Sequence, residues 1–137
     1  MPRAAVVVPN RDGANFLGEC LRSLLAQSHP AELIVVDDAS SDGSAALVRE
    51  RFPQVTLLRL PANRGFAGAV NRGIEHALRL GADYVALLNN DAVAAPDWLA
   101  GLIATADSHP EAGIVTSKLL RYDRVHIDST GDFYSSW

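Results

Sequence analysis

Short apolar runs alternate with amphipathic stretches along this chain, and this alternation constrains the fold more than any single motif does. The runs at 4–9, 33–36, 55–60 and 84–88 have the length and composition of buried strands. Strands that alternate with helices are typical of βαβ units, which build a mostly parallel sheet with helices on both faces. With 137 residues the chain has room for one hydrophobic core. We therefore predict a single α/β domain of Rossmann-like architecture over residues 1–137.

The stretches between the predicted strands carry apolar residues on one face of a helix. In the first helix this face comprises Phe16, Leu17, Cys20, Leu21, Leu24 and Leu25. The second helix, capped by Ser41 or Asp42, is predicted to bury Ala46, Leu47 and Phe52. The third, about 15 residues long and ended by Gly81, is predicted to bury Phe66, Val70, Ile74, Ala77 and Leu78. The fourth, opened by Pro96, is predicted to bury Trp98, Leu99, Leu102, Ile103 and Ala106.

Three expectations concern the borders of the sheet and the last part of the chain. Thr56 and Arg59 place the third strand near a sheet edge, because both side chains favour solvent. The uncharged run at 84–88 predicts a fully buried strand, and the run at 113–120 predicts a fifth strand. Residues 121–137 have no periodic pattern and are predicted to be irregular.

Composition limits the classes of function. A net charge of −4 without a basic cluster argues against nucleic-acid binding. No apolar run approaches the roughly 18 residues that a membrane span requires, so we expect no transmembrane segment. The single cysteine, Cys20, excludes an intramolecular disulfide and is predicted to be a buried thiol. We therefore expect a cytoplasmic protein, with a peripheral position at the inner face of the membrane as the alternative.

Polar side chains follow two of the predicted strands at the edge where parallel sheets bind ligands. Asp37 and Asp38 end the second strand, and one could accept hydrogen bonds from a ligand while the other caps the turn. In the alternative interpretation, both serve local turns. Asn89, Asn90 and Asp91 end the fourth strand, and their oxygens suit Mg²⁺ or Mn²⁺ once a diphosphate completes the coordination shell. Otherwise they form an exposed polar turn.

The segment 63–73 leads into the third helix and contains Gly65, Gly68 and Asn71. Small residues at a helix start allow the backbone N–H groups to approach an anion. Tight packing of the helix on the sheet explains them equally well. The segment is not a GxGxxG motif, and the chain contains no P-loop sequence.

Four segments together resemble the nucleotide-binding half of an inverting, family-two glycosyltransferase with the GT-A fold. They are VVVPNRDGANFLGECLRSLLAQSHP, IVVDDASSDGS, NRGFAGAVNRGI and YVALLNNDAVAAPDWL, in the order and spacing of that family. Within the family, the similarity is closest to rhamnosyltransferase-like members.

The resemblance implies a role for particular residues. Pro9, Asn10 and Arg11 correspond to the loop beside the nucleotide base, and Asp38 corresponds to the residue that hydrogen-bonds the base. Asn90 and Asp91 correspond to the end of the acidic metal motif, in which the last aspartate binds Mg²⁺ or Mn²⁺ on the donor diphosphate. Gly65 and Asn71 are further expected nucleotide contacts. The expected partners are a UDP- or dTDP-linked sugar and a glycan or lipid acceptor.

The chain also departs from the family pattern. Asn10 and Arg11 stand where many relatives have Thr or Ser and Tyr, and Asn-Asn-Asp stands where many have Asp-x-Asp. Catalytic domains of the family extend further, and their later half supplies the acceptor pocket and the general base. We therefore predict a truncated domain with no catalytic base, able to bind the donor. Asp132 is a poor candidate for that base, and 121–137 would begin the missing half.

Two other interpretations remain open at this stage. Asp37, Asp38, Asp91 and Lys118 imitate the residues of a response-regulator receiver domain, although the acidic pair follows the second predicted strand where a receiver has it on the first. A non-catalytic binding domain is the other alternative. A chain without its acceptor half would also expose apolar surface and could self-associate.

Overall fold

Four parallel strands form the sheet on which the fold is built. The computed structural model describes residues 1–130 and contains β1 (Ala4–Asn10), β2 (Ala31–Asp37), β3 (Thr56–Arg59) and β4 (Tyr84–Leu87). The spatial order is β3-β2-β1-β4, and every neighbouring pair is parallel. The two longest and most apolar strands, β1 and β2, are central because both of their faces are covered. The predicted parallel α/β architecture is confirmed, as is the edge position of the third strand.

Four helices cover the two faces of the sheet. They are α1 (Ala14–Leu25), α2 (Ser44–Arg51), α3 (Gly65–Arg79) and α4 (Trp98–Ser108). Side chains of α1, α2 and α4 pack with Val6, Val8 and Val35 on one face. Side chains of α3 pack with Val7 and Val36 on the other. Alternate residues of one strand therefore serve two separate cores, as the pleat of a strand requires.

The closest helix–sheet contact is that of α3 with β1 and β2. A Cβ atom at Gly73 would lie 2.3 Å from Val7 Cγ1, so only glycine allows the helix to approach so closely. The buried face of α3 consists of Ala69, Val70, Gly73 and Ala77. Small residues on that face bring the start of the helix close to the ends of the strands.

Four residues predicted to lie on the buried faces of the helices are exposed. Phe16 and Leu25 lie on the flanks of α1, about 90° from the centre of its buried face, and Leu78 lies further round α3. Phe66 is 63% exposed although it lies on the buried face of α3, because the first turn of the helix extends past the ends of the strands. The helical pattern was therefore predicted correctly, but the width and length of the buried face were overestimated.

The fourth strand and the last part of the chain differ most from expectation. β4 is an edge strand and only half-buried, with Leu87 43% exposed, because it has no partner on its outer side within residues 1–130. The predicted fifth strand at 113–120 is wrong, since only β5 (Leu119–Leu120) is extended, in a separate antiparallel pair with β6 (Ile127–Ser129). β6 also interrupts residues 121–137, which were predicted to be irregular. The last seven of these residues lie outside the described range.

The helix boundaries show smaller differences. The fourth helix begins at Trp98, two residues after Pro96. Asp42, one of the two predicted caps, precedes the N-cap residue Gly43, and its Oδ1 accepts the N–H of Ser44 at 3.0 Å. Its Oδ2 accepts the N–H of Ala14 at 2.8 Å, so one carboxylate links the starts of α1 and α2. Among residues 1–130, no helix combines the length and the apolar character needed to cross a bilayer.

Candidate nucleotide-sugar site

An open cleft of about 460 Å³ lies at the carboxyl ends of β1, β2 and β4. Eleven residues line it: Pro9, Asn10, Arg11, Asp38, Asn63, Gly65, Phe66, Ala69, Asn89, Asn90 and Asp91. The residues come from four parts of the chain, and the parallel sheet brings them together because its strands end at one edge. Seven of the eight residues predicted as ligand contacts therefore lie in one cleft.

Asp38 forms one wall of the cleft and holds the start of α3. Its side chain is almost fully buried, and its two oxygens accept the N–H groups of Arg64 at 2.6 Å and Gly65 at 2.9 Å. Gly65 has φ +72°, a conformation that favours glycine and turns both N–H groups toward the carboxylate. A carboxylate has about four acceptor positions, so Asp38 retains the capacity to accept a hydrogen bond from a ligand.

Asp37, the other member of the pair, points into the protein. It is fully buried, and its Oδ2 accepts the N–H of Ser40 at 3.2 Å and lies 3.6 Å from Arg59 Nε. Its Oδ1 accepts a hydrogen bond from Asn10 Nδ2 at 3.1 Å. The two carboxylates therefore have different environments, with Asp37 stabilising the turn after β2 and Asp38 lining the cleft.

Asn10 and Asn90 join the ends of β1 and β4 through their side-chain amides. Asn90 Nδ2 donates to Asn10 Oδ1 at 2.9 Å, and Asn10 is 2% exposed. Gly13 packs against this bridge, since a Cβ atom there would lie 2.1 Å from Asn90 Nδ2 and 2.5 Å from Asn10 Oδ1. A side chain at position 13 would therefore block the hydrogen bond between Asn90 and Asn10.

Arg11 also lines the cleft, but its contact differs from the role expected of it. Its side chain is exposed, and Nη1 donates to the backbone oxygen of Asp38 at 2.7 Å. The guanidinium therefore crosses from the end of β1 to the end of β2. This places a permanent positive charge at the mouth of the cleft.

Asp91 is exposed in the loop after β4, with Cys20 beneath that loop. Cys20 Sγ donates to the backbone oxygen of Asn89 at 3.5 Å. Burial and, to a smaller extent, the nearby Asp91 carboxylate together raise the pKa of the Cys20 thiol to about 12. The thiol is therefore neutral, and its predicted burial is confirmed. Its hydrogen bond to Asn89 stabilises the loop.

The cleft supplies part of a metal site. Asp91 offers one carboxylate, and the neighbouring amide oxygens suit a hard divalent cation. Residues 1–130 contain no cluster of three His, Cys, Asp or Glu side chains that could hold a metal alone. The donor set therefore fits Mg²⁺ or Mn²⁺ only together with oxygens from a ligand.

One of the eight predicted contacts lies elsewhere, and four further residues line the cleft. Asn71 is exposed and is absent from the lining, because it lies about 200° around α3 from Ala69, which does line the cleft. Phe66, Asn63, Ala69 and Asn89 are the additional lining residues. Phe66 could have been recognised by its position in the first turn of a helix that starts beside a strand end, whereas its apolar character favoured the core.

The pattern that defines glycosyl transferase family 2 matches residues 5–133. The chain belongs to that family. It is 36% identical over 110 residues to the succinoglycan biosynthesis protein ExoO of Rhizobium meliloti (strain 1021). The aligned region covers 79% of this chain and 31% of that protein. It is 27% identical over 127 residues to the putative glycosyltransferase EpsE of Bacillus subtilis (strain 168), covering 89% of this chain and 45% of the relative. The chain thus spans less than half the length of these family 2 relatives.

Solved structures support the family fold. S. aureus TarS 1–349 in complex with UDP has a TM-score of 0.68 at 25% identity, covering 79% of this chain and 33% of that one. The mannosyltransferase PcManGT from Pyrobaculum calidifontis, in complex with GDP-Man and Mn²⁺, has a TM-score of 0.67 at 32% identity, covering 77% and 32%. The α/β fold with GT-A-like neighbours is confirmed. The receiver-domain alternative has no support, because both the family and the fold point to a glycosyltransferase.

Proposed function

We propose that this chain binds the donor of a glycosyl transfer, a nucleoside-diphosphate sugar, in the cleft at the ends of β1, β2 and β4. The observation that carries the proposal is the cleft itself, which brings Asn10, Asp38 and Asp91 together from separate strand ends in a family 2 domain. Two structural neighbours are complexes with UDP and with GDP-Man and Mn²⁺, ligands of the same chemical class.

The base of the nucleotide would lie beside Asp38. Its carboxylate is held by the N–H groups of Arg64 and Gly65, so it is fixed before a ligand arrives. A uracil or thymine ring offers one ring N–H, which a fixed acceptor at this position can bind. The exposed ring of Phe66 at the same wall offers an apolar face for stacking.

The diphosphate would lie toward Asp91. Asp91 would hold a divalent cation there, and that cation would supply Lewis-acid stabilisation of negative charge on the leaving group. Asp91 binds and orients that assembly, and the loop beneath it is held in place by Cys20 and by the bridge from Asn90 to Asn10. Asn89 and Asn90 contribute uncharged oxygens, which leaves one protein carboxylate to balance the cation.

The proposed reaction is transfer with inversion, in which an acceptor hydroxyl attacks the anomeric carbon opposite the departing diphosphate. Such a step needs a general base to take the hydroxyl proton. We assign no base to residues 1–130 and place it, with the glycan or lipid acceptor site, in the part of the relatives that this chain does not span. We further propose a cytoplasmic reaction and, within the family, a rhamnosyltransferase-like donor carried on UDP or dTDP.

Calorimetric titration of UDP, dTDP and GDP, each with and without Mn²⁺, tests this function. We expect binding that Mn²⁺ strengthens, and for Asp91→Asn we expect the strengthening by Mn²⁺ to disappear while metal-free binding persists. Asp97→Asn is the matched control, because Asp97 is exposed on the same connection but outside the cleft. The proposal would be abandoned if none of the three nucleotides bound with Mn²⁺ present.

Asp38 needs a separate variant, because removing its carboxylate also releases the start of α3. Asp38→Asn keeps one of the two backbone contacts through its carbonyl oxygen, and its N–H₂ group repels both the other backbone N–H and a ring N–H of the ligand. We expect UDP affinity to fall by about 10-fold or more, the usual effect of an unpaired donor in a buried contact. Unchanged affinity for UDP would remove Asp38 from the base site.

A further inference from the structure

We propose that Asp37, acting through Asn10, fixes the orientation of the Asn90 amide so that Asn90 presents its carbonyl oxygen, and not its N–H₂ group, to the cleft. Asp37 and Asn10 are thereby positioning residues that make the cleft select a cation-bound diphosphate over a free one. This inference rests on the proposed function for its consequence, but the orientation itself is a property of the protein without ligand.

The first link is the carboxylate of Asp37. It is fully buried, and an ionised carboxylate can only accept hydrogen bonds. Its Oδ2 is engaged by the Ser40 N–H and by Arg59, which leaves Oδ1 to face Asn10. Whatever group of Asn10 meets Oδ1 must therefore be a donor.

The second link is Asn10, whose amide has one donor end and one acceptor end. Its Nδ2 donates to Asp37 Oδ1 at 3.1 Å and reaches Ser40 Oγ at 3.3 Å. Ser40 Oγ also accepts the N–H of Asp12 at 2.9 Å, which favours an acceptor role for this hydroxyl oxygen. Asn10 Oδ1 is consequently turned toward β4, where it can only accept.

The third link is Asn90. Because Asn10 offers it an oxygen, Asn90 must offer its nitrogen, and Nδ2 donates at 2.9 Å. Gly13 lies beside the same end of the amide, since the nearest atom to a Cβ there would be Asn90 Nδ2. The oxygen of Asn90 is therefore at the end of its amide that points away from Asn10 and Gly13, and Asn90 lines the cleft.

The consequence is chemical selectivity. A carbonyl oxygen beside the Asp91 carboxylate attracts a divalent cation and repels phosphate oxygens, whereas an N–H₂ group would do the opposite. The buried carboxylate of Asp37 thus determines, through two amides, which end of the Asn90 amide faces the cleft. Neither position 10 nor position 90 carries a charged residue. This arrangement gives the Asn-Asn-Asp motif a second oxygen in place of a second carboxylate.

Asp37→Asn is the decisive variant, because it can reverse every orientation once the Ser40 hydroxyl donates to Asn10 where it now accepts. Its carbonyl oxygen would stay with the Ser40 N–H and Arg59, its N–H₂ would face Asn10, and both amides would turn over. We expect the ratio of UDP affinities with and without Mn²⁺ to fall by about 10-fold to 100-fold, the range for a contact with a charged group. Metal-free UDP binding should tighten, since an N–H₂ group now faces the phosphates.

Two controls separate orientation from general damage. Arg59→Gln removes the ion pair with Asp37 and leaves the order of donors unchanged, so the ratio should match that of the wild-type chain. Asn90→Ala removes the oxygen without supplying an N–H₂ group, so the ratio should fall, and metal-free binding should tighten less than in Asp37→Asn. An unchanged ratio in Asp37→Asn would overturn the proposal, and an unchanged ratio in Asn90→Ala would overturn it by showing that the Asn90 oxygen does not act on the cation.

The orientation can also be measured without nucleotide or metal. In the labelled chain we expect a nuclear Overhauser effect between the Asn90 side-chain N–H₂ protons and the Gly13 α protons, and its loss in Asp37→Asn. Absence of this signal in the wild-type chain would refute the orientation even if nucleotide binds. Its presence in a chain that binds no nucleotide would instead refute the proposed function and leave the orientation standing.

Discussion

Replacing Gly13 with alanine probes the connection between the fold and the cleft most directly. The added methyl group would lie 2.1 Å from Asn90 Nδ2 and 2.5 Å from Asn10 Oδ1, both well inside contact distance, so the amide bridge must open. Gly13 has φ −101°, which alanine adopts without strain, and the clash is therefore the main cost.

The magnitude follows from two contributions. Opening the bridge leaves the buried Asn10 Oδ1 without its donor, at a cost of about 1–3 kcal/mol. Forcing a methyl group into a filled site costs about 1–3 kcal/mol. The smaller unfolded-state entropy of alanine offsets about 0.4–1 kcal/mol. We expect the free energy of unfolding to fall by about 1–5 kcal/mol, together with weaker binding of nucleotide and Mn²⁺.

Urea denaturation and calorimetry of the same samples measure both effects. Gly18→Ala is the first control, because its nearest neighbour would be Arg22 Nη1 at an ordinary 3.5 Å, and inside a helix it should stabilise by up to about 1 kcal/mol. Gly73→Ala is the second, since it clashes with Val7 in the core and should destabilise without a specific loss of the Mn²⁺ effect. A Gly13→Ala chain within about 0.5 kcal/mol of wild type would refute the reasoning, since that is the ordinary range for a surface substitution.

Two further predictions concern Phe66 and Cys20. Phe66→Ala should leave stability nearly unchanged because the ring is 63% exposed, but should weaken UDP binding by the ~1–3 kcal/mol of a base–aromatic stack. Leu78→Ala is the control, because Leu78 is 59% exposed on the same helix. Its stability in urea denaturation and its UDP affinity in calorimetry should both equal those of the wild-type chain. The pKa of Cys20 is about 12 when folded and near its ordinary 9.0 when unfolded, so the unfolded thiol ionises first and stability is lost as pH rises above 9. Relative to Cys20→Ala, the wild-type chain should lose about 1 kcal/mol between pH 7 and pH 9.5 in urea titrations, and parallel profiles would contradict this.

The sequence predicted the sheet where local pattern and tertiary environment agree. The apolar runs of β1 and β2 admit only a buried position, and the polar residues after them could only be at the carboxyl edge. The placement of Asp38 and Asp91 in one cleft follows from that topology. These parts of the fold needed no knowledge of side-chain contacts.

The predictions were wrong where an element depends on a partner that is distant in the chain. The run at 113–120 has strand composition, but a strand requires a neighbouring edge, and residues 113–118 do not pair with β4. Phe66 has the correct helical phase for the core, yet the sheet ends before it. The apolar pattern of a helix indicates which face a side chain lies on. The length of the neighbouring strands decides whether that side chain is covered.

The amide network lies beyond sequence reasoning for another reason. Asn10 and Asn90 are 80 residues apart, and an asparagine in isolation carries no sign of which end of its amide faces a ligand. That choice depends on Asp37 and on the space left by Gly13, which only a three-dimensional arrangement supplies.

The central place of β1 has a consequence for synthesis on the ribosome. β1 emerges first, but it needs β2 on one side and β4 on the other, and β4 begins at Tyr84. Until that residue is made, the run from Ala4 to Val8 has an open backbone edge and an incomplete cover, the features of a segment prone to intermolecular pairing. We therefore expect nascent chains halted before Tyr84 to depend on chaperones, and chains halted well beyond Ser108 to be released from them.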